Sequence, residues 1–140
     1  MLIGAYDCSI DLKGRLNFPA KLREDLGEEF LVAKGLGDNC LCVYSKAEWA
    51  VLEEKIKTLP LSKARNFQRF FFASAGKAEP DKQGRIVIPQ ALREYAGLEK
   101  DVKIIGSSTH CEIWSLDRWN AFCDTMDSAT ISAVMDELGI

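Results

Sequence analysis

The chain writes one phrase twice. DLKGRLNFPAKLREDLG begins at Asp11 and DKQGRIVIPQALREYAG begins at Asp81. A shift of 70 residues aligns Asp11, Gly14, Arg15, Pro19, Leu22, Arg23, Glu24, Gly27, Glu29, Val32, Ser45 and Trp49 with identical residues, without a gap. Those are twelve identities in 39 positions, where average residue usage gives roughly two. A duplication of this kind constrains the fold strongly. A unit this small often cannot bury its apolar face alone, so the two copies are expected to pack on each other about a pseudo-two-fold axis.

Each copy has the same local grammar. RLNF and RIVI read as short strands, and Pro19 and Pro89 fall at the first turn of the short helices PAKLREDLG and PQALREYAG. Gly27 and Gly97 close those helices. EFLVAKG and DVKIIGS, then CLCVY and CEIW, read as strands separated by turns. A longer helix follows each copy. SKAEWAVLEEKIKTL opens with a Ser-x-x-Glu capping box and carries Trp49, Leu52, Ile56 and Leu59 as an apolar stripe, and SLDRWNAFCDTM is its counterpart. SKARNFQRFFFAS reads as a connecting helix and SATISAVMDELGI as a last one. The divisions are 1–60 for the first repeat with its helix, 61–72 for the connector, 73–126 for the second repeat with its helix, and 127–140 for an acidic tail helix.

At 47% apolar residues over 140 positions, the chain can bury a substantial core. No apolar run is long enough to span a membrane, and the first residues lack the basic and apolar regions of a secretion signal, so a cytoplasmic location without membrane contact is expected. Cys8, Cys40, Cys42, Cys111 and Cys123 are odd in number and form no CxxC pair, which disfavours a disulfide framework. The net charge of −3 conceals an uneven distribution. Residues 117–140 hold five acidic residues against Arg118, which leaves +1 on the remainder. Local fields govern association more than the total does, so the acidic balance weakens a polyanionic partner without excluding one.

Gly14 and Gly84 can take positive φ in tight turns before RLNF and RIVI, and each such turn lifts one arginine out of the sheet. Two readings of Arg15 and Arg85 follow. They form a spaced pair of forks suited to phosphates or guanine edges, or they make intraloop ion pairs with Asp11 and Asp81 that only pin a hairpin.

The paired motifs, together with the WAVLEEKIKTLP helix and the RFFFASAGKAEPDKQGR junction, give a sequence that resembles the MraZ family of bacterial regulators built from two SpoVT-AbrB-type repeats. The resemblance covers nearly the whole chain. It implies an α/β fold, a two-repeat swapped-hairpin (AbrB-like) β-barrel with pseudo-two-fold symmetry and flanking helices. It also implies a ring-like homo-oligomer that binds double-stranded DNA at repeated promoter sites of its own cell-division and cell-wall gene cluster, in association with the nucleoid. On this resemblance Arg15 and Arg85 contact DNA. Lys13 and Lys82 neutralise phosphate, while Asp11, Gly14, Asp81 and Gly84 support the turns. The two lysines have no basic counterparts, since Lys13 aligns with Gln83 and Lys82 with Leu12. Lys21, Arg23 and Arg93 are either near the DNA backbone or helix-surface charges.

Cys40 aligns with His110, and Cys42 and Cys111 lie nearby, so a Cys/His metal site across the pseudo-two-fold is conceivable. The spacing is not zinc-like, and cysteines in strands are usually small core residues, so neither a metal nor a cofactor is expected. Phe67, Phe70 and Phe71 are either core or an interaction surface. A single histidine, with no nucleophile–base signature and no phosphate loop, argues against an enzyme. His110 and Cys111 would point to opposite faces of a strand. A ring-forming scaffold without sequence-specific DNA binding is the alternative function.

Overall fold

A computed structural model describes residues 1–140. The first repeat contributes β1 (Ala5–Ser9), β2 (Arg15–Asn17), α1 (Ala20–Leu26), β3 (Phe30–Lys34), β4 (Leu41–Ser45) and α2 (Lys46–Ile56); α3 (Leu61–Phe71) connects. The second contributes β5 (Gly76–Ala78), β6 (Arg85–Val87), α4 (Gln90–Ala96), β7 (Asp101–Gly106), β8 (Cys111–Ser115) and α5 (Leu116–Thr125), and α6 (Ser128–Leu138) ends the chain. The fold is therefore mixed α/β. No helix is long and apolar enough to cross a membrane.

Six strands form an antiparallel sheet in the order β1-β7-β8-β4-β3-β5, and β2 pairs with β6 as a separate antiparallel ribbon. Read from its other end, the sheet has the same order with the repeats exchanged. The opening strand of each repeat lies against the third strand of the other. Tyr6 faces Ile104 across β1 and β7, and Lys77 faces Leu31 across β5 and β3. Two cross-strand pairs join residues that are equivalents under the 70-residue shift, Leu16 with Ile86 in the ribbon and Cys42 with Glu112 at the β4–β8 seam. The pseudo-two-fold axis passes through both.

Strand alternation sorts the side chains along that axis. Leu16, Phe18, Ile86 and Ile88 point inward from the ribbon segments and meet Leu41, Val43, Cys111 and Ile113 from the central strands. Leu22, Leu26, Leu92 and Ala96 of the short helices close the same core. Each fully buried leucine, isoleucine or phenylalanine contributes about 1.5–3 kcal/mol. The other face of the sheet carries a smaller cluster of Ala33, Cys42, Tyr44 and Phe71, on which Trp49, Leu52 and Phe67 pack.

Some local details differ from the sequence expectation. Pro19 and Pro89 sit just before the short helices with extended ψ and act as N-caps, their carbonyls accepting the N–H of Arg23 and Arg93 at 3.1 and 3.0 Å. Ser45 Oγ accepts from Glu48 N–H at 3.2 Å, but no return bond from the Glu48 side chain completes the capping box. Leu59 lies beyond the end of α2 and is exposed. Of the three phenylalanines, Phe71 is fully buried, whereas Phe70 is exposed and meets the Tyr95 ring edge-on at 6.0 Å.

Candidate nucleic-acid interface

Asp11 organises the first turn. Its backbone N–H donates to the Arg15 carbonyl at 2.9 Å, and its carbonyl accepts from Gly14 N–H at 3.0 Å. Its Oδ1 accepts the N–H groups of Lys13 and Arg15 at 2.9 Å each, while Oδ2 accepts Arg15 Nε at 2.7 Å. The second turn repeats the pattern. Asp81 Oδ1 accepts from Gln83 and Arg85 N–H at 2.9 Å each, and Oδ2 accepts Arg85 Nε at 2.9 Å. A short carboxylate can fold back on its own backbone in this way. Gly14 and Gly84 then take φ of +77° and +81°, the left-handed region that favours glycine.

The converging donors hold both carboxyls below the usual carboxylate range, the backbone N–H of Arg15 or Arg85 being the largest cause in each case. The intraloop pair of the simpler reading is therefore present, but it occupies only Nε. The two Nη groups of each arginine make no hydrogen bond within the chain, so the aspartate aims a fork whose outer prongs stay free.

The ribbon sets the two forks side by side. Arg15 lies opposite Val87 and Asn17 opposite Arg85, with the buried Leu16–Ile86 pair between them. Arg15, Asn17, Arg85 and Val87 consequently share the outer face, and the arginines are offset by two residues, about 7 Å along the strands. Lys13 and Lys82 are exposed at the turns, and Leu12 is fully exposed beside them.

Arg23 and Arg93 belong to this surface as well. Arg23 Nε donates to Phe18 O at 3.0 Å and Arg93 Nε to Ile88 O at 2.9 Å. Each guanidinium lies over the turn of the opposite repeat. A Cβ on Gly84 would stand 2.7 Å from Arg23 Nη2, and one on Gly14 would stand 3.1 Å from Arg93 Cζ. The turns are held together by Phe18 N–H donating to Gly84 O at 3.0 Å and Ile88 N–H donating to Gly14 O at 2.9 Å. Four guanidiniums thus gather around one ribbon, whereas the sequence left Arg23 and Arg93 open between a place near the DNA backbone and the helix surface. Asn17 was missed, although the alternation of RLNF places it on the face of Arg15. Lys21 is exposed on α1.

The arrangement offers planar, charged donors on an extended two-stranded ribbon, with no nucleophile–base couple. The family model described as MraZ protein matches this chain twice, over residues 1–70 and 71–138. Curated relatives carry the name transcriptional regulator MraZ. The protein from Caldicellulosiruptor saccharolyticus is 56% identical and that from Acetivibrio thermocellus 52%, each with both chains covered in full. The protein from Heliobacterium modesticaldum is 58% identical, covering 87% of this chain and 86% of its own.

Proposed function

Since this chain belongs to the MraZ family, we propose that it is a transcriptional regulator that binds double-stranded DNA sequence-specifically through the outer face of the β2–β6 ribbon. The observation that carries this reading is the state of Arg15 and Arg85. Each is aimed through Nε by its own aspartate and keeps two free donors. A two-stranded ribbon fits the major groove of B-form DNA, where an arginine fork matches the O6 and N7 acceptors of guanine. Arg23, Arg93, Lys13 and Lys82 flank the fork pair and supply charge toward phosphates. Asp11, Gly14, Asp81 and Gly84 act indirectly, by shaping the turns.

The fuller architecture of this proposal is a swapped-hairpin barrel, and the exchanged opening strands of the two repeats support it. The proposed assembly is a homo-oligomeric ring built through the helices after the repeats, where Phe122, Ile131, Val134 and Leu138 are exposed. Linked barrels on repeated promoter sites would convert weak single contacts into tight binding. The proposed target is the promoter of the chain's own cell-division and cell-wall gene cluster, and the place of action is the nucleoid.

A footprint of the purified protein on the DNA upstream of its own gene tests the proposal. Regularly spaced protection, lost on an unrelated fragment of the same length, is expected. Equal affinity for both fragments would favour a scaffold whose turns are merely solvated.

A further inference from the structure

The sheet face turned away from the ribbon carries a cluster that DNA binding does not use. Cys40, just before β4, and Cys42, within it, bring their Sγ atoms together, while Leu41 between them enters the main core. Across the seam, Glu112 of β8 stands directly opposite Cys42, and His110, just before β8, turns its ring to the Glu112 carboxylate. The two Sγ atoms and a Glu112 carboxylate oxygen lie within 4.8 Å of one another. His110 Nε2 is 3.0 Å from Glu112 Oε2.

The composition of this cluster is unusual for packing alone. Both thiols are buried, and most of the Glu112 side chain is withdrawn from water. Small apolar residues would fill the thiol positions equally well, and the half-buried carboxylate is met within the chain by the His110 imidazole, itself a ligand type for soft divalent cations. The surroundings orient the donors. The Tyr44 ring stacks on His110 at 5.4 Å, and Trp114 Nε1 donates to Glu112 Oε1 at 3.0 Å, which leaves Oε2 directed at the cluster.

We propose that Cys40, Cys42, Glu112 and His110 form a binding site for a borderline-soft divalent cation of the Zn²⁺ type, spanning the seam between the two repeats. Two thiolates, an imidazole and a carboxylate suit such an ion in tetrahedral geometry. Tetrahedral zinc places neighbouring donors about 3.3–3.8 Å apart, so the two thiols and the carboxylate need draw in only by roughly an ångström, while His110 turns from Glu112 toward the ion. Spacing along the chain argued against a metal because each repeat supplies only half of the donors. The β4–β8 register assembles them. On binding, the thiols release their protons, the proton between His110 Nε2 and Glu112 Oε2 is released or shifts to Nδ1, and that hydrogen bond gives way to two bonds to the metal.

The test uses the full chain, reduced with a phosphine, stripped with a chelator and titrated with Co²⁺ and then Zn²⁺. One equivalent of Co²⁺ is expected to give a thiolate-to-cobalt charge-transfer band and the visible bands of a tetrahedral site, both abolished by Zn²⁺. Thermal stability should rise with added Zn²⁺. Cys123→Ser, which alters the exposed cysteine on α5, should retain the bands. Cys42→Ser should roughly halve the charge-transfer band, Cys40→Ser with Cys42→Ser should abolish it, and Glu112→Gln should weaken binding by more than about tenfold. Should Cys42→Ser fail to fold, His110→Gln, on the partly exposed rim, is expected to weaken Co²⁺ binding likewise. Absence of the band in the wild-type chain under excess Co²⁺ overturns the proposal, as does its survival at full intensity in a folded Cys42→Ser variant. DNA binding uses none of these residues, so the outcome is independent of the proposed regulatory role.

Discussion

Replacing Arg15 and Arg85 by alanine separates the two roles their geometry allows. Nε of each is engaged by aspartate and the Nη pair is free, so truncation removes one bidentate donor per turn. A bidentate base contact is worth about 1–3 kcal/mol, or about five- to 150-fold in affinity per engaged turn. The double variant should therefore lose about 2–6 kcal/mol, less any coupling between forks this close together. The fold should survive. The side chains are 33% and 30% exposed, and exposed ion pairs contribute little to stability. Fluorescence anisotropy with a labelled upstream fragment and a shuffled control, at several salt concentrations, reads the result. A base contact shows as a loss confined to the upstream fragment. A phosphate contact shows as an equal loss on both fragments and a salt slope smaller by about one unit per arginine. A folded double variant that binds the upstream fragment like the wild type would remove the turns from the interface. One that unfolds would make the two aspartate–arginine pairs structural.

Gly84→Ala should destabilise the chain by about 1–2 kcal/mol through positive φ alone, measured by urea unfolding, and should also displace Arg23, whose Nη2 lies 2.7 Å from the new Cβ position. Ser45→Ala removes the oxygen that accepts from Glu48 N–H at 3.2 Å, and a loss of about 0.5–2 kcal/mol is expected in thermal melts, largely restored by Ser45→Asp. Acid should open the turns. Asp11 and Asp81 have folded pKa values below the ordinary carboxylate value, so their contribution is complete above that value and fades as pH falls through the depressed folded values. Amide exchange at Arg15 and Arg85 N–H should rise over that acidic window, and Asp11→Asn with Asp81→Asn should flatten the response.

What was legible in the sequence was local. Gly27 and Gly97 end short helices because only they relieve the reversal there, and both have positive φ. The Asp-x-x-Gly-Arg turns are written entirely within five residues, so their shape follows from residue type. Pro19 and Pro89 were displaced by one position because their extended ψ makes them caps rather than helical residues. What was not legible depends on pairing across the chain. Nothing in REDLG or REYAG says that Arg23 reaches Gly84 or that Arg93 reaches Gly14. Those contacts arise because β2 and β6 pair antiparallel and bring each helix start to the opposite turn. The Cys42–Glu112 pairing has the same origin in the β4–β8 register.

The pseudo-two-fold axis joins two surfaces that diverged differently within this one chain. At the ribbon end, aspartate, glycine, arginine and proline recur in both copies, because each turn needs the same backbone reversal and the same aimed fork. At the far end the equivalents are unlike, Cys40 with His110, Cys42 with Glu112 and Tyr44 with Trp114. A cluster that straddles the axis draws one pair of donors from each copy, so unlike equivalents give a mixed donor set where identical ones would give four of a kind. Even the ribbon is not fully symmetric. Arg85 has Asn17 across from it, whereas Arg15 has Val87, and the exposed Leu12 stands where the second turn carries Lys82. An asparagine beside an arginine adds an adenine-type reader to one fork, and a valine adds an apolar contact for a thymine methyl group to the other. On the proposed reading, the two forks would favour unlike base steps, and affinity for a single asymmetric site, measured against its palindromised form, is expected to be higher for the asymmetric one.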